Sequence, residues 1–126
     1  MDNGTSPLFQ AAQDGHDAVV ARLLAGGAAV DLSKNNGVTP LFKAAQNGHD
    51  AVVTRLLAGG AAVDLARDDG GFTPLFMAAQ QGHDAVVARL LAGGAAVDLA
   101  RKTDGATPLY IAAEQGHDAE IGRAHV

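Results

Sequence analysis

This 126-residue chain contains no cysteine, which excludes disulfide staples and thiolate metal sites. Tryptophan is absent, tyrosine occurs once and phenylalanine four times, so any core must come from closely packed Ala, Leu and Val. Bases are in the minority, nine against fourteen acids, for a formal net charge of −5. The chain therefore lacks the overall basic footprint that sequence-independent binding to nucleic acid needs. No apolar run approaches the ~20 residues of a membrane-spanning helix, and no apolar signal segment follows the polar Met1-Asp2-Asn3-Gly4. The expectation is a cytoplasmic protein whose partners include neither membrane nor nucleic acid.

Proline is also scarce, and its four positions organise the chain. Pro7, Pro40, Pro74 and Pro108 are spaced 33, 34 and 34 residues apart, each inside a nearly identical run. A period of that length signals a stack of supersecondary units rather than one folded core. The sixteen glycines mostly recur at the same places in that repeat, as turn residues and not as a flexible linker.

The second unit shows how each repeat is built. Thr39 before Pro40 is a helix start, since threonine caps free N–H groups and proline at the first helical position has none to lose. Leu41, Phe42, Ala44 and Ala45 form an apolar helical stripe, and the alanine pair lets neighbouring helices approach closely. Gly48 stops this helix. A second helix follows, with Asp50 in its first turn, where a negative charge suits the helix dipole. Val52, Val53, Leu56 and Leu57 are its buried stripe, and Arg55 points away. Gly59-Gly60 ends it, and an extended segment leads into a hairpin-like arm around Asp69-Gly70-Gly71.

The string G-x-T-P-L-x-x-A-A-x-x-G-H-x-x-V-V-x-x-L-L-x-x-G-A resembles the ankyrin repeat, and it covers almost the whole chain. The resemblance implies an all-α solenoid of stacked helix-turn-helix units with projecting β-turn arms, a single domain over 1–126. The units span about 4–36, 37–70, 71–104 and 105–126, the last truncated. Three departures stand out. The family's histidine after Thr-Pro-Leu is replaced by Phe9, Phe42, Phe76 and Tyr110, exchanging hydrogen bonds at the helix start for apolar packing. Its usual Asn after Val is Asp31, Asp64 and Asp98, and the second and third arms carry one residue more than the first.

The ends differ from the interior. The first unit keeps the apolar pattern of Val19, Val20, Leu23 and Leu24, so its outer face is expected to be poorly capped and open to self-association. In the last unit Glu120-Ile121-Gly122-Arg123-Ala124-His125 replaces the Val/Leu helix, either as a polar cap or as a frayed end.

No catalytic constellation is visible. His16, His49, His83 and His117 each precede an Asp, but equivalent residues of stacked repeats lie ~8–10 Å apart, and zinc ligands sit ~2.0–2.1 Å from their ion. No nucleophile recurs beside them. A turn histidine bonding to nearby backbone is the structural reading, and neither enzyme activity, metal nor cofactor is expected. The arginines Arg22, Arg55, Arg89 and Arg123 form a ladder expected to be a solvated face neutralised by neighbouring aspartates.

The differences between units carry the remaining information. From Pro7–Leu32 through Pro40–Leu65 to the third unit only three places change: Gln10/Lys43/Met77, Asp14/Asn47/Gln81 and Ala21/Thr54/Ala88. The arms diverge freely. The resemblance to the ankyrin family places partner binding at these positions, in the groove formed by arm tips and first helices. The candidate partner-binding residues are Gln10, Lys34, Asn36, Val38, Lys43, Asn47, Arg67, Asp69, Phe72, Met77, Gln81, Arg101, Lys102, Asp104 and Ile111; simple surface tolerance is the competing explanation. Within this set Phe72, Met77 and Ile111 are expected to lie together as an exposed apolar hot spot rimmed by Arg67, Asp69, Arg101 and Asp104. The alternative is that Phe72 folds back on its own loop. The leading functional expectation is a non-catalytic module binding an unidentified protein. The other reading is a self-associating structural scaffold, or an engineered, consensus-like array without a dedicated partner.

Overall fold

The computed structural model describes residues 5–34, 36–68 and 70–97. They contain six helices: α1 (Pro7–Asp14), α2 (Asp17–Ala25), α3 (Pro40–Gln46), α4 (Asp50–Ala58), α5 (Pro74–Gln81) and α6 (Asp84–Ala92). Helices occupy just over half of these residues, and no strand occurs among them. The architecture is the expected all-α repeat stack. The altered last helix of the fourth unit lies outside the described residues.

Each first helix starts by the same device. The hydroxyls of Ser6, Thr39 and Thr73 accept from the N–H groups of Phe9, Phe42 and Phe76, all at 3.1 Å, with proline at the next position. This satisfies one orphan donor per helix where proline has already removed another. Thr39 and Thr73 are buried, and the cap bond satisfies each hydroxyl there. Each first helix then stops at Gly15, Gly48 or Gly82, with φ of 76°, 78° and 74°. The N–H of the following histidine bonds back to a helix carbonyl, as His49 does to Ala44 at 3.0 Å.

The helices stack in two rows, α1–α3–α5 and α2–α4–α6, and the first row packs the more closely. Alanine pairs are the reason. Ala12, Ala44, Ala45, Ala78 and Ala79 are completely buried, and Ala11 nearly so. With no side chain beyond Cβ, adjacent first helices come near contact, while the leucines and valines of the second row hold their helices further apart. The main core runs between the rows, through Leu41, Val52, Val53, Leu56 and their counterparts. A second apolar cluster, Phe9, Val38, Phe42, Phe76 and Met77 with Phe72 against it, lies along the first helices beneath the arms.

Polar contacts set the register between units. His49 Nε2 lies 2.9 Å from the Gln13 carbonyl, and His83 Nε2 lies 2.9 Å from that of Gln46. A carbonyl only accepts, so both rings donate from Nε2. This is the backbone-bonding role expected for the turn histidine, but the carbonyl belongs to the preceding unit. Asp31 accepts from the Ala62 N–H at 3.1 Å, and Asp64 from the Ala96 N–H at 3.2 Å. Arg55 donates to both Asp17 oxygens at 2.7 and 2.9 Å, and Arg89 donates to Asp50 at 3.0 Å. Among the described residues the first and second units thus present acceptors to the unit after them, and the second and third present donors to the unit before them.

One end of the described stack departs from the interior. Val19 is 46% exposed, whereas Val52 and Val86 in the same register are 1% exposed. Arg22, the counterpart of Arg55, meets no carboxylate among the described residues.

The histidine ladder and the turn glycines yield a paired prediction. A Cβ at Gly48 would sit 2.8 Å from the His83 ring in addition to requiring a positive φ; Gly60, at φ 94°, has nothing within 4 Å of that position. Gly60→Ala should therefore show only the left-handed strain of ~1–2 kcal/mol, and Gly48→Ala at least about 1 kcal/mol more, because the ring must move. Urea unfolding of the two variants measures the difference, and equal losses would contradict the role given to His83.

Candidate partner-binding groove

The arms rise from the ends of the second helices and fold back toward the first. In the first arm Lys34 N–H donates to the Val38 carbonyl at 2.9 Å, and Gly37 N–H to the Lys34 carbonyl at 3.0 Å. In the second, Arg67 N–H donates to the Phe72 carbonyl at 2.8 Å. Asp68 N–H donates to the Asn36 carbonyl at 2.9 Å and ties the second arm to the first. These closures bring arm residues over the first helices.

The phenylalanines lie beneath. Phe9, Phe42 and Phe76 are 1% exposed, as expected of residues that replace hydrogen bonding with packing. Two arm cations cover Phe9 and Phe42: Lys34 Nζ is 5.5 Å from the Phe9 ring centre, and the Arg67 guanidinium is 5.9 Å from that of Phe42 and also 4.4 Å from that of Phe72. These are cation–π distances. The phenylalanine floor was not among the sequence-derived site residues. Its signal is the basic residue two places after Leu32, Leu65 and Leu99, at Lys34, Arg67 and Arg101.

Several candidate residues are exposed on this side. Gln10 donates to Asp14 at 2.9 Å, and Asn47 donates to the Gln13 carbonyl at 3.1 Å. Asn36 accepts from the Val38 N–H at 3.2 Å through its side chain, and Gln81 is exposed at the end of α5. Lys43 is half-buried and donates to the Gln46 amide oxygen at 3.0 Å. Asp69, Arg101, Lys102, Asp104 and Ile111 lie outside the described residues.

Three of the expectations require correction. Val38, proposed as a groove contact, is 6% exposed and belongs to the second apolar cluster. Met77 was expected to be exposed because Gln10 and Lys43 hold the same register, but it is also 6% exposed. Phe72 is half-buried and does fold back on its own loop: a Cβ on Gly70 would lie 2.5 Å from its ring. Its ring meets Phe76 edge-on at 5.3 Å, and Arg67 covers it. The physical reason is the phenylalanine layer beneath the arms: Val38 and Met77 join its apolar cluster, and the Phe72 ring packs against it. Phe72 and Met77 are therefore packing residues and not an open hot spot.

A depression of about 400 Å³ lies elsewhere, on the second-helix side among Asp17, Asp50, Ala51, Thr54, Arg55 and Arg89. Its charges are satisfied internally. Hydrogen bonds from Arg55 hold the Asp17 carboxyl below its usual value, with partial desolvation opposing them and charge attraction adding to them. The same pair raises Arg55. For Arg55 and Arg89 this agrees with the neutralised arginine face expected from sequence; Arg22 has no such partner among the described residues, and Arg123 lies outside them. Among the described residues no group of three or more His, Cys, Asp or Glu side chains could hold a metal ion, and no helix is long and apolar enough to cross a membrane.

The burial of Met77 carries a test. Met77→Ala should destabilise the protein by ~2–4 kcal/mol, the cost of truncating a buried methionine. Gln81→Ala, on an exposed site of the same helix, should stay within about 0.5 kcal/mol. Thermal and chemical denaturation of both variants decides whether Met77 supports the fold or stands free of it.

Comparison with known families agrees with this construction. A model for ankyrin repeats, three copies long, matches residues 1–67 and again residues 51–121. No curated protein matches the chain. Capped first helices, glycine-stopped turns, cross-unit histidines and a family match over nearly the full length lead to one conclusion: the chain belongs to the ankyrin-repeat family.

Proposed function

We propose that this chain binds a protein partner through the groove formed by the arms and the first helices, without catalysis. Ankyrin repeats are in general protein–protein interaction modules, and the family is typically non-catalytic. The observation that carries the assignment to this side is a contrast between the two faces. On the second-helix face the charges pair with one another, Arg55 with Asp17 and Arg89 with Asp50. On the first-helix face four of the six residues at the two places that differ between units, Gln10, Asp14, Asn47 and Gln81, are exposed, beside cations held over aromatic rings. A rigid scaffold with variable exposed positions is how loop-bearing folds present recognition surfaces.

Capture with matched variants tests this. Asn47→Arg with Gln81→Arg alters the groove side, and Thr54→Arg with Ala88→Arg alters exposed positions of the second helices. A protein retained from lysate by the wild-type chain should be lost, by about tenfold in affinity or more, with the first pair and kept with the second. The reverse pattern would place the interface on the outer face.

A second reading, self-association, has its own observation. Val19 is exposed where Val52 and Val86 are buried, and burying such a side chain stabilises by ~1.5–3 kcal/mol. Arg22 and His16 flank it with hydrogen-bond donors, so the covering surface would supply acceptors, as each unit does to the next. Sedimentation across a concentration series should show the wild-type chain gaining mass and Val19→Asp remaining monomeric. Wild-type mass independent of concentration would remove this reading.

A further inference from the structure

Three asparagines precede a glycine in this chain, Asn3, Asn36 and Asn47, and the first lies outside the described residues. Such a pair carries its own chemistry. The glycine amide nitrogen can attack the carboxamide carbon of the asparagine before it, because glycine has no Cβ to shield that nitrogen. Asparagine is accordingly among the thermally labile residues. The rate depends on how the fold holds the carboxamide, and the two described pairs are held differently.

Asn36 is exposed at the tip of the first arm. Its side-chain oxygen accepts from the Val38 N–H at 3.2 Å, a bond that reaches two residues along the chain. That bond folds the carboxamide back across the Gly37 peptide and polarises its carbon. The side chain closest to Gly37 is the exposed Asp68, whose carboxylate gives way when the peptide turns. Asn47 is exposed too, but its carboxamide donates to the Gln13 carbonyl of the preceding unit at 3.1 Å. Gly48 is wedged against the His83 ring, and that ring is itself fixed on the Gln46 carbonyl. Turning the Asn47–Gly48 peptide would disturb two contacts between units. Each glycine N–H makes one bond, Gly37 to the Lys34 carbonyl and Gly48 to that of Ala45, so this bond does not separate the two sites.

We propose that Asn36–Gly37 is a self-modifying site, at which the tip of the first arm loses an amide and gains a carboxylate. Water or hydroxide takes the Gly37 N–H proton, and the nitrogen attacks Asn36 Cγ. The Cγ–Nδ2 bond breaks, and the departing group takes a proton from water and leaves as ammonia. The five-membered imide so formed adds water at one of its two carbonyls. Opening at one gives aspartate, and opening at the other gives an isoaspartyl link, with the main chain routed through the side-chain carbon. One water is consumed, one ammonia is released, and nothing is oxidised or reduced.

Either product puts a negative charge near the Asp68 carboxylate, which lies against Gly37, and like charges repel. The isoaspartyl product also alters the tie between the arms. The Asn36 carbonyl that accepts from the Asp68 N–H at 2.9 Å leaves the main chain and becomes the pendant carboxylate. The modification therefore loosens the first arm from the second, and it needs neither a partner nor an enzyme.

The test compares the full chain, folded and in urea, held at physiological temperature and mildly alkaline pH and followed by tryptic peptide mass. Cleavage after Lys34, Lys43 and Arg55 puts Asn36 and Asn47 on different peptides, 35–43 and 44–55. In the folded chain the first peptide should gain the mass of an acid in place of an amide several-fold faster than the second. In urea the two rates should converge. Asn36→Gln, whose longer side chain must close a larger ring, should abolish the gain in 35–43 and leave the melting temperature unchanged. In the modified chain the Asp68 amide should exchange with solvent faster than in fresh protein. Equal rates in the folded chain, a gap that persists in urea, a gain that survives Asn36→Gln, or unchanged exchange at Asp68 would each overturn the proposal.

Discussion

The cross-unit bond from a turn histidine to the preceding unit's first helix governs the rest of the structure. His49 reaches the Gln13 carbonyl and His83 that of Gln46, and each ring lies against a glycine whose Cβ would collide with it. One contact therefore requires a left-handed glycine, an imidazole donating from Nε2, and a fixed separation between successive first helices. Once that separation is set, alanine is the residue that fills it. The remaining cross-unit contacts, from arginine to aspartate and from backbone N–H to aspartate, fall into the same register. A repeat of this kind has no core of its own to fall back on, so its stability is largely that of the interfaces between neighbours.

Replacing the family's histidine by phenylalanine at the start of each first helix has a consequence beyond local packing. It creates a second apolar layer under the arms, separate from the core between the helix rows. Aromatic faces attract cations, and Lys34 and Arg67 rest on them. The arms are thereby fastened to the helices by side chains as well as by their own hydrogen bonds. This fastening places positive charge on the groove side of an acidic protein. On the opposite side Arg55 and Arg89 are paired with aspartates in place, so the two faces differ in character although their units are nearly identical.

Much of this was legible in the sequence because the repeat displays each position several times. The proline spacing, the threonine caps, the glycine stops and the Val/Leu stripes are local or periodic signals, and the helices begin and end where those signals put them. The neutralised arginine face and the packing role of the phenylalanines were readable too, since both follow from residue chemistry at a fixed register. The state of Val38, Phe72 and Met77 was not. Met77 holds a first-helix place that is polar in other units, while Val38 and Phe72 precede Thr-Pro in their arms, and register says nothing about how an arm packs onto the rings beneath it.

Sequence alone determined the family, the order and extent of the helices, and the residues whose identity cannot change without breaking a cap or a turn. These are set by φ/ψ preference, hydrogen-bond capacity and apolar period, which act within a few residues of chain. Tertiary structure decided which carbonyl each histidine would find, which arm cation would meet which ring, and that Met77 would be buried and Phe72 half-buried against the phenylalanine layer. Those outcomes depend on distances between segments about thirty residues apart. They follow from how closely alanine lets the units approach, a quantity that exists only once the units are stacked.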